Sequence, residues 1–205
     1  MNVRVVIIII FSAILVALGI YYFSRTEAIT NYPSKGTDII AFGDSLVYGV
    51  GATEGNDFVS LLSEMTGESI VNLGRAGDTT ADGLARINEL NKYNPKVVIL
   101  LLGGNDYLKK IPIADTFKNL ATLIENIHAR GAIVVLLGVR GGLFNDRFDT
   151  EFEKLSDTYN TVFVSDVLDE LFGSSQYMSD TIHPNNIGYQ MISGRIYSVL
   201  IGVLK

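Results

Sequence analysis

Ser45 stands just past an apolar run, Ile39-Ile40-Ala41-Phe42, that breaks at Gly43-Asp44. A serine hydroxyl is a weak nucleophile until a neighbouring base removes its proton, and that base in turn needs a third group to orient it. His183 can be the base, because an unperturbed imidazole titrates near ~6.5 and both takes and returns a proton near neutrality. Asp180, three residues earlier, is close enough in sequence to fix the imidazole tautomer from the far ring nitrogen. Negative charge developing on an attacked carbonyl oxygen needs donors aimed at it. The backbone N–H groups of Ser45 and Gly77 and the side-chain amide of Asn105 are the candidates, with glycine at 77 expected to allow close backbone approach. Together these residue types describe nucleophilic attack on an ester carbonyl.

Such residues matter only if the fold brings them to one edge. From residue 37 onward apolar runs alternate with helical patterns. Strands are predicted at 37–42, 69–73, 96–102, 132–139 and 161–165. Asn56 is expected to cap a helix over 57–65 that stops at Gly67. Thr79 or Thr80 opens a second helix carrying Leu84, Ile87 and Leu90. Further helices are expected over 114–130, with Phe117, Leu120, Ile124 and Ile127 on one face, then over 150–159 and 186–204. The third strand, apolar on both faces, should be central and covered on both sides. Strands separated by helices mean βαβ units with right-handed crossovers. The expected fold is therefore a three-layer α/β/α sandwich around a flavodoxin-like five-stranded parallel sheet of order 2-1-3-4-5. Ligands of such sheets bind outside the carboxyl ends of the strands. Three of the chemical loops (43–46, 72–79 and 103–106) fall there by construction, whereas the fourth, 180–184, must fold back over that edge.

The 205 residues suit one full-sized domain. A net charge of −6 with no basic stripe argues against nucleic acid. The absence of cysteine excludes disulfides and thiolate chemistry, and two histidines make a histidine-rich metal site improbable. Residues 5–23 carry no charge and are long enough to cross a bilayer as a helix, which takes roughly 20 apolar residues. Arg4 precedes this run and Tyr21-Tyr22-Phe23 closes it, as at a membrane interface. A cleaved signal peptide, with Ala17-Leu18-Gly19 as the small-residue site, is the competing reading. The expected organisation is an N-terminal transmembrane helix or signal segment (1–25), a linker (26–36) and a catalytic domain (37–205). That domain would lie outside the cytoplasm, membrane-anchored, or secreted if the segment is cleaved.

Four motifs occur in order: Gly-Asp-Ser-Leu at 43–46, Asn72 through Gly77-Asp78-Thr79, Gly-Gly-Asn-Asp at 103–106, and Asp-x-x-His-Pro at 180–184. In this pattern the chain resembles the SGNH (GDSL-type) hydrolase family, closest to its bacterial thioesterase, lysophospholipase and arylesterase branch, over nearly the whole domain from Asp38. The resemblance implies Ser45, Gly77, Asn105 and His183 as the family's name-giving residues and Asp180 as the third triad member. It also implies hydrolysis of acyl esters and thioesters through an acyl-serine intermediate, with no metal or organic cofactor. The membrane anchor departs from soluble periplasmic members.

Around the expected site lie Leu46, Val47, Tyr48, Tyr107, Leu108, Leu143 and Phe144. Of these, Leu46, Tyr107, Leu143 and Phe144 are the candidate substrate contacts, and an apolar rim suits short or medium acyl, aryl or lysophospholipid-like esters. Two other readings compete: a carbohydrate esterase that deacetylates polysaccharide, and a non-catalytic binding module on a hydrolase fold. His128 reads as structural, near a helix C-terminus where a cation is favoured. Asp44 and Asp106 read as turn aspartates bonding their own backbone. Asp166, Asp169 and Glu170 read as a solvated helix face. Gly49-Val50-Gly51 fails as a dinucleotide fingerprint, because Glu54 stands where its third glycine belongs and Asn72 ends the second strand without an acid.

Overall fold

A computed structural model describes residues 28–139 and 147–205. The 5–23 apolar run, Leu143 and Phe144 lie outside the described residues. Five parallel strands form the sheet: β1 (Asp38–Gly43), β2 (Ile70–Gly74), β3 (Pro95–Leu101), β4 (Ile133–Leu137) and β5 (Val162–Val164), in the order β2-β1-β3-β4-β5. The expected architecture and strand order are those observed. β4 and nearly all of β3 are buried, while the edge strands β2 and β5 are only half covered. This follows from sequence, since only strands apolar on both faces can sit between two helix layers.

The helices are α1 (Ser45–Tyr48), α2 (Phe58–Thr66), α3 (Thr80–Ala85), α4 (Gly104–Leu108), α5 (Ile113–His128), α6 (Arg147–Tyr159) and α7 (Asn186–Leu204), with a 3-10 turn over Ile87–Lys92. α2 packs with α7 on one face of the sheet, and α3, α5 and α6 form the layer on the other. α7 is long and apolar enough by composition to cross a membrane. It nevertheless buries Tyr189, Ile192, Ile196, Leu200 and Val203, spaced three or four apart, against the domain, as a core helix does.

Local chemistry explains where the elements depart from expectation. The cap of α2 is Asp57, whose Oδ1 accepts from the N–H groups of Val59 and Ser60 at 3.0 Å each, while Asn56 turns to Thr53 instead. The predicted second helix splits at Arg86, which leaves helical geometry (φ −112, ψ 11) as its guanidinium turns under the sheet edge. The single-turn helices α1 and α4, at the nucleophile and at Asn105, have no hydrophobic period for a sequence to show. No helix spans 166–170: the segment is a turn in which Asp166 is buried while Asp169 and Glu170 are exposed, so the solvated-face reading is corrected for the helix and for Asp166 and stands for the other two. Asp106 is fully buried and binds neighbouring elements rather than its own turn, through Thr80 N–H (2.8 Å), Thr80 Oγ1 (2.5 Å) and Thr116 Oγ1 (3.4 Å). Burial pushes the His128 imidazole below its usual range, so it is a neutral packing group and not a dipole-stabilised cation.

Residues 28–36, expected as linker, are bound to the domain. Thr30 N–H donates to Asn160 O (3.0 Å), Asn31 Nδ2 to His128 O and Ala132 O (2.9 Å each), and Ser34 Oγ to Gly131 O (2.7 Å). All of these acceptors sit where the chain enters β4 or β5, at the amino-terminal foot of the sheet.

Candidate active site

The site begins where β1 ends. Gly43 is required there, because a Cβ would lie 2.1 Å from Leu101 O. Asp44 caps α1 by accepting from Leu46 N–H at 3.0 Å, which leaves Ser45 in the first position of a one-turn helix, half-buried at the carboxyl edge of the sheet. Burial, reinforced by the nearby carboxylates of Asp78 and Asp106, pushes the Asp44 carboxyl up to about 7 even though the Leu46 hydrogen bond opposes it.

The fourth loop does fold back over this edge. Met178 and Pro184 pair as an antiparallel bridge, and Ser179 donates to His183 O through both its N–H (2.8 Å) and its Oγ (3.0 Å). Asn185 caps α7 below it, and Tyr189 Oη donates to Val50 O at 2.8 Å. Gly51 makes the close approach possible: a Cβ there would lie 2.2 Å from Ser179 Oγ and 2.4 Å from Pro184 O, and its φ is +95°. The loop after α1 is thereby locked against the loop that carries the histidine.

Within the lock, His183 Nε2 lies 3.0 Å from Ser45 Oγ, and His183 Nδ1 lies 2.7 Å from Asp180 Oδ2. Residues 138 apart in the chain are thus joined by a continuous hydrogen-bond path. Asp180 Oδ1 also accepts from the N–H groups of Ile182 and His183, at 2.8 Å each. The imidazole contact foremost, then these backbone donors, hold the Asp180 carboxyl down at about 2. It is an anion throughout the neutral range, as a group orienting an imidazole must be.

Asn105 is the second residue of α4, and its Nδ2 donates to Asp78 O at 2.9 Å. Ser45, Asn105, Asp180 and His183 all line one cavity of about 810 Å³. Its walls include Leu46, Tyr107, Leu108, Val139, Leu168, Phe172, Met178 and Ile182. Two candidate substrate contacts, Leu46 and Tyr107, are therefore on the wall, whereas Val47 is fully buried beneath. Gly77 is exposed and is not among the lining residues. Its φ is +87° and an added Cβ would meet nothing within 4 Å, so glycine serves the backbone conformation there and not a close approach. The wall from Leu168 to Ser179 lies outside the loops that the sequence marks, whereas Asp180 to His183 belong to the expected fourth loop. The only signal for that wall was position, since it follows β5 at the same sheet edge. Among the described residues no cluster of His, Asp and Glu is arranged to hold a metal ion.

A model of the GDSL-like lipase/acylhydrolase family matches residues 41–191. The chain belongs to that family. As a GDSL-type, or SGNH, enzyme it is a carboxylic ester hydrolase. It is 30% identical over 156 residues to Thioesterase 1/protease 1/lysophospholipase L1 of Escherichia coli (strain K12), covering 72% of this chain and 75% of that one. It is also 30% identical over 158 residues to Esterase TesA of Pseudomonas aeruginosa, covering 71% and 79%. Among solved structures it resembles TesA with a TM-score of 0.76 at 27% identity, covering 82% of this chain and 99% of the other. It also resembles the psychrotrophic esterase EstA from Pseudoalteromonas sp., with a TM-score of 0.72 at 25% identity and coverage of 82% and 98%. The hydrogen-bond path thus falls on the first and fourth SGNH blocks, and Asn105 of the third lines the same cavity.

Proposed function

We propose that this SGNH hydrolase cleaves acyl esters or thioesters with short to medium acyl, aryl or lysophospholipid-like groups, through an acyl-serine intermediate. The observation that carries the reading is the path from Asp180 through His183 to Ser45 at the wall of an apolar cavity. Ser45 Oγ attacks the carbonyl carbon as His183 Nε2 takes the hydroxyl proton, and Asp180 stabilises the imidazolium so formed. The Ser45 N–H and the second N–H of the Asn105 amide, both at the cavity wall, are assigned to the oxyanion, and the Gly77 N–H, on the exposed turn beside that wall, is the third donor that the motif implies. His183 then returns the proton to the departing alcohol or thiol. Water, activated by the same imidazole, attacks the acyl-serine and releases the acid.

The apolar wall favours acyl and aryl groups over sugars, because burying a sugar's hydroxyls without partners is costly. The relatives bearing thioesterase, lysophospholipase and arylesterase in their names support the same substrate range. We read residues 5–23 as the membrane tether of an extracytoplasmic domain.

The test is a chain-length series of p-nitrophenyl acyl esters, with a fluorophosphonate probe in parallel. Wild type should hydrolyse the series and label covalently, and Ser45→Ala should do neither. Hydrolysis persisting in Ser45→Ala would remove the nucleophile, and a wild type that never labels would favour a binding module.

A further inference from the structure

Arg86 is buried beneath the site, and the mechanism above does not use it. Its Nη2 donates to Gly43 O at 2.9 Å, its Nε to Asp78 Oδ2 at 2.6 Å, and its guanidinium lies 4.1 Å from the centroid of the Phe42 ring. Its Nη1 makes no hydrogen bond and lies 3.5 Å from Glu89 Oε2, an ion-pair distance. The side chain is only 7% exposed, so water does not share these contacts. Its two principal partners are not equivalent in the fold. Gly43 is the last residue of β1, two residues before Ser45, and its carbonyl also takes the N–H of Arg75 at 2.9 Å. Asp78 follows Gly77, and the Asp78 carbonyl takes the amide of Asn105 at 2.9 Å. One planar guanidinium therefore spans the strand end that delivers the nucleophile and the turn that anchors two proposed oxyanion donors. A planar fork holds its N–H donors in fixed, separated directions toward these two acceptors, whereas the rotating donors of a flexible ammonium do not set the distance between them.

We propose that Arg86 is a positioning residue for the oxyanion site: it fixes the Asp78 turn, and through it the Asn105 amide, relative to Ser45. The inference rests on the acyl-serine reading of the site. Arg86 touches no reacting atom, so its effect must pass through Asn105 and appear in the chemical step rather than in substrate capture.

The test compares Arg86→Lys, Asp78→Asn, Asn105→Ala and the double variant Arg86→Lys/Asn105→Ala in p-nitrophenyl ester hydrolysis, with thermal melting of each. Arg86→Lys and Asp78→Asn should each lower kcat by about 30-fold with KM changed less than about threefold, a split expected when a transition-state interaction is lost. In the Asn105→Ala background, Arg86→Lys should cost less than about threefold more, because residues acting through one another are not additive. An Arg86→Lys kcat within about threefold of wild type, or a second loss of about 30-fold in the Asn105→Ala background, would overturn the proposal. If Arg86→Lys melts below the assay temperature, the Asp78→Asn kcat decides by the same thresholds. Failure of the underlying reading looks different: wild type itself would then neither hydrolyse the esters nor label with fluorophosphonate.

Discussion

Replacing Asp180 with asparagine separates the charge of the orienting group from its shape. In the native site Oδ1 takes two backbone N–H groups and Oδ2 faces His183 Nδ1 at 2.7 Å. An asparagine keeps its oxygen on the two N–H groups, because an NH2 placed there would set donor against donor. Its NH2 must then face Nδ1, which becomes an acceptor and moves the imidazole proton to Nε2, aimed at Ser45 Oγ. The imidazole can no longer accept the serine proton. Because the Asp180 side chain is 52% exposed, its Coulombic pull on an imidazolium is screened, so most of the loss comes from the tautomer. In serine–histidine–aspartate centres such a change lowers kcat about 10⁴-fold, equivalent to ~5.5 kcal/mol of barrier. The expected result is that fall in p-nitrophenyl ester hydrolysis, with KM nearly unchanged and a melting temperature at neutral pH modestly below wild type, because the carboxylate's contribution to stability goes with its charge. An Asp180→Asn enzyme retaining more than a tenth of the wild-type kcat would refute the orienting role. The same substitution should also remove an acid sensitivity. With its folded-state carboxyl at about 2, Asp180 stabilises the fold above the ordinary carboxylate range and loses that contribution as pH falls towards 2.

Asp44 should behave in the opposite sense. Its folded-state carboxyl, near 7, makes the fold bind an extra proton, so its contribution is full below about 4 and declines as pH rises to 7. Asp44→Asn should therefore flatten the loss of stability between pH 4 and 8, with a gain at pH 8 of up to about 4 kcal/mol in urea unfolding; an unchanged pH slope would contradict this. Gly51→Ala should lower kcat at least tenfold in a folded protein, because a methyl group 2.2 Å from Ser179 Oγ must push the histidine loop outward. Full activity in that variant would show that the two loops move independently.

The strands were legible because each is an apolar run closed by a glycine, a proline or a polar turn, and β3 declared its central place by having no polar face. Ser45 and Asn105 were legible because their blocks follow strand ends, where the fold itself collects them, whereas Asp180 and His183 were legible only as a motif before the last helix, and the fold back over the edge that brings them in was not. What stayed hidden depends on partners distant in sequence. Nothing near Asp106 announces that Thr80 and Thr116 will bind it, and nothing near Gly51 announces Ser179 and Pro184. Asn56 and Asp57 are equally plausible caps by type, and only the geometry at Val59 and Ser60 chooses between them. The cavity wall from Leu168 to Met178 is irregular chain without a period, shaped in part by Arg195, which donates to Val167 O and Asp169 O.

If residues 5–23 form the tether proposed above, the docking of residues 28–36 would decide which way the enzyme looks. That strap crosses the end of the sheet opposite the catalytic rim, separated from it by a six-residue strand, about 20 Å of rise. Only residues 24–27 separate Phe23 from Ala28, a span of at most about 17 Å when fully stretched. A bilayer holding 5–23 would therefore meet the underside of the domain, too near for the molecule to turn over and present its mouth. An enzyme tethered in the way proposed above would work with its back to the membrane and take its esters from the aqueous side.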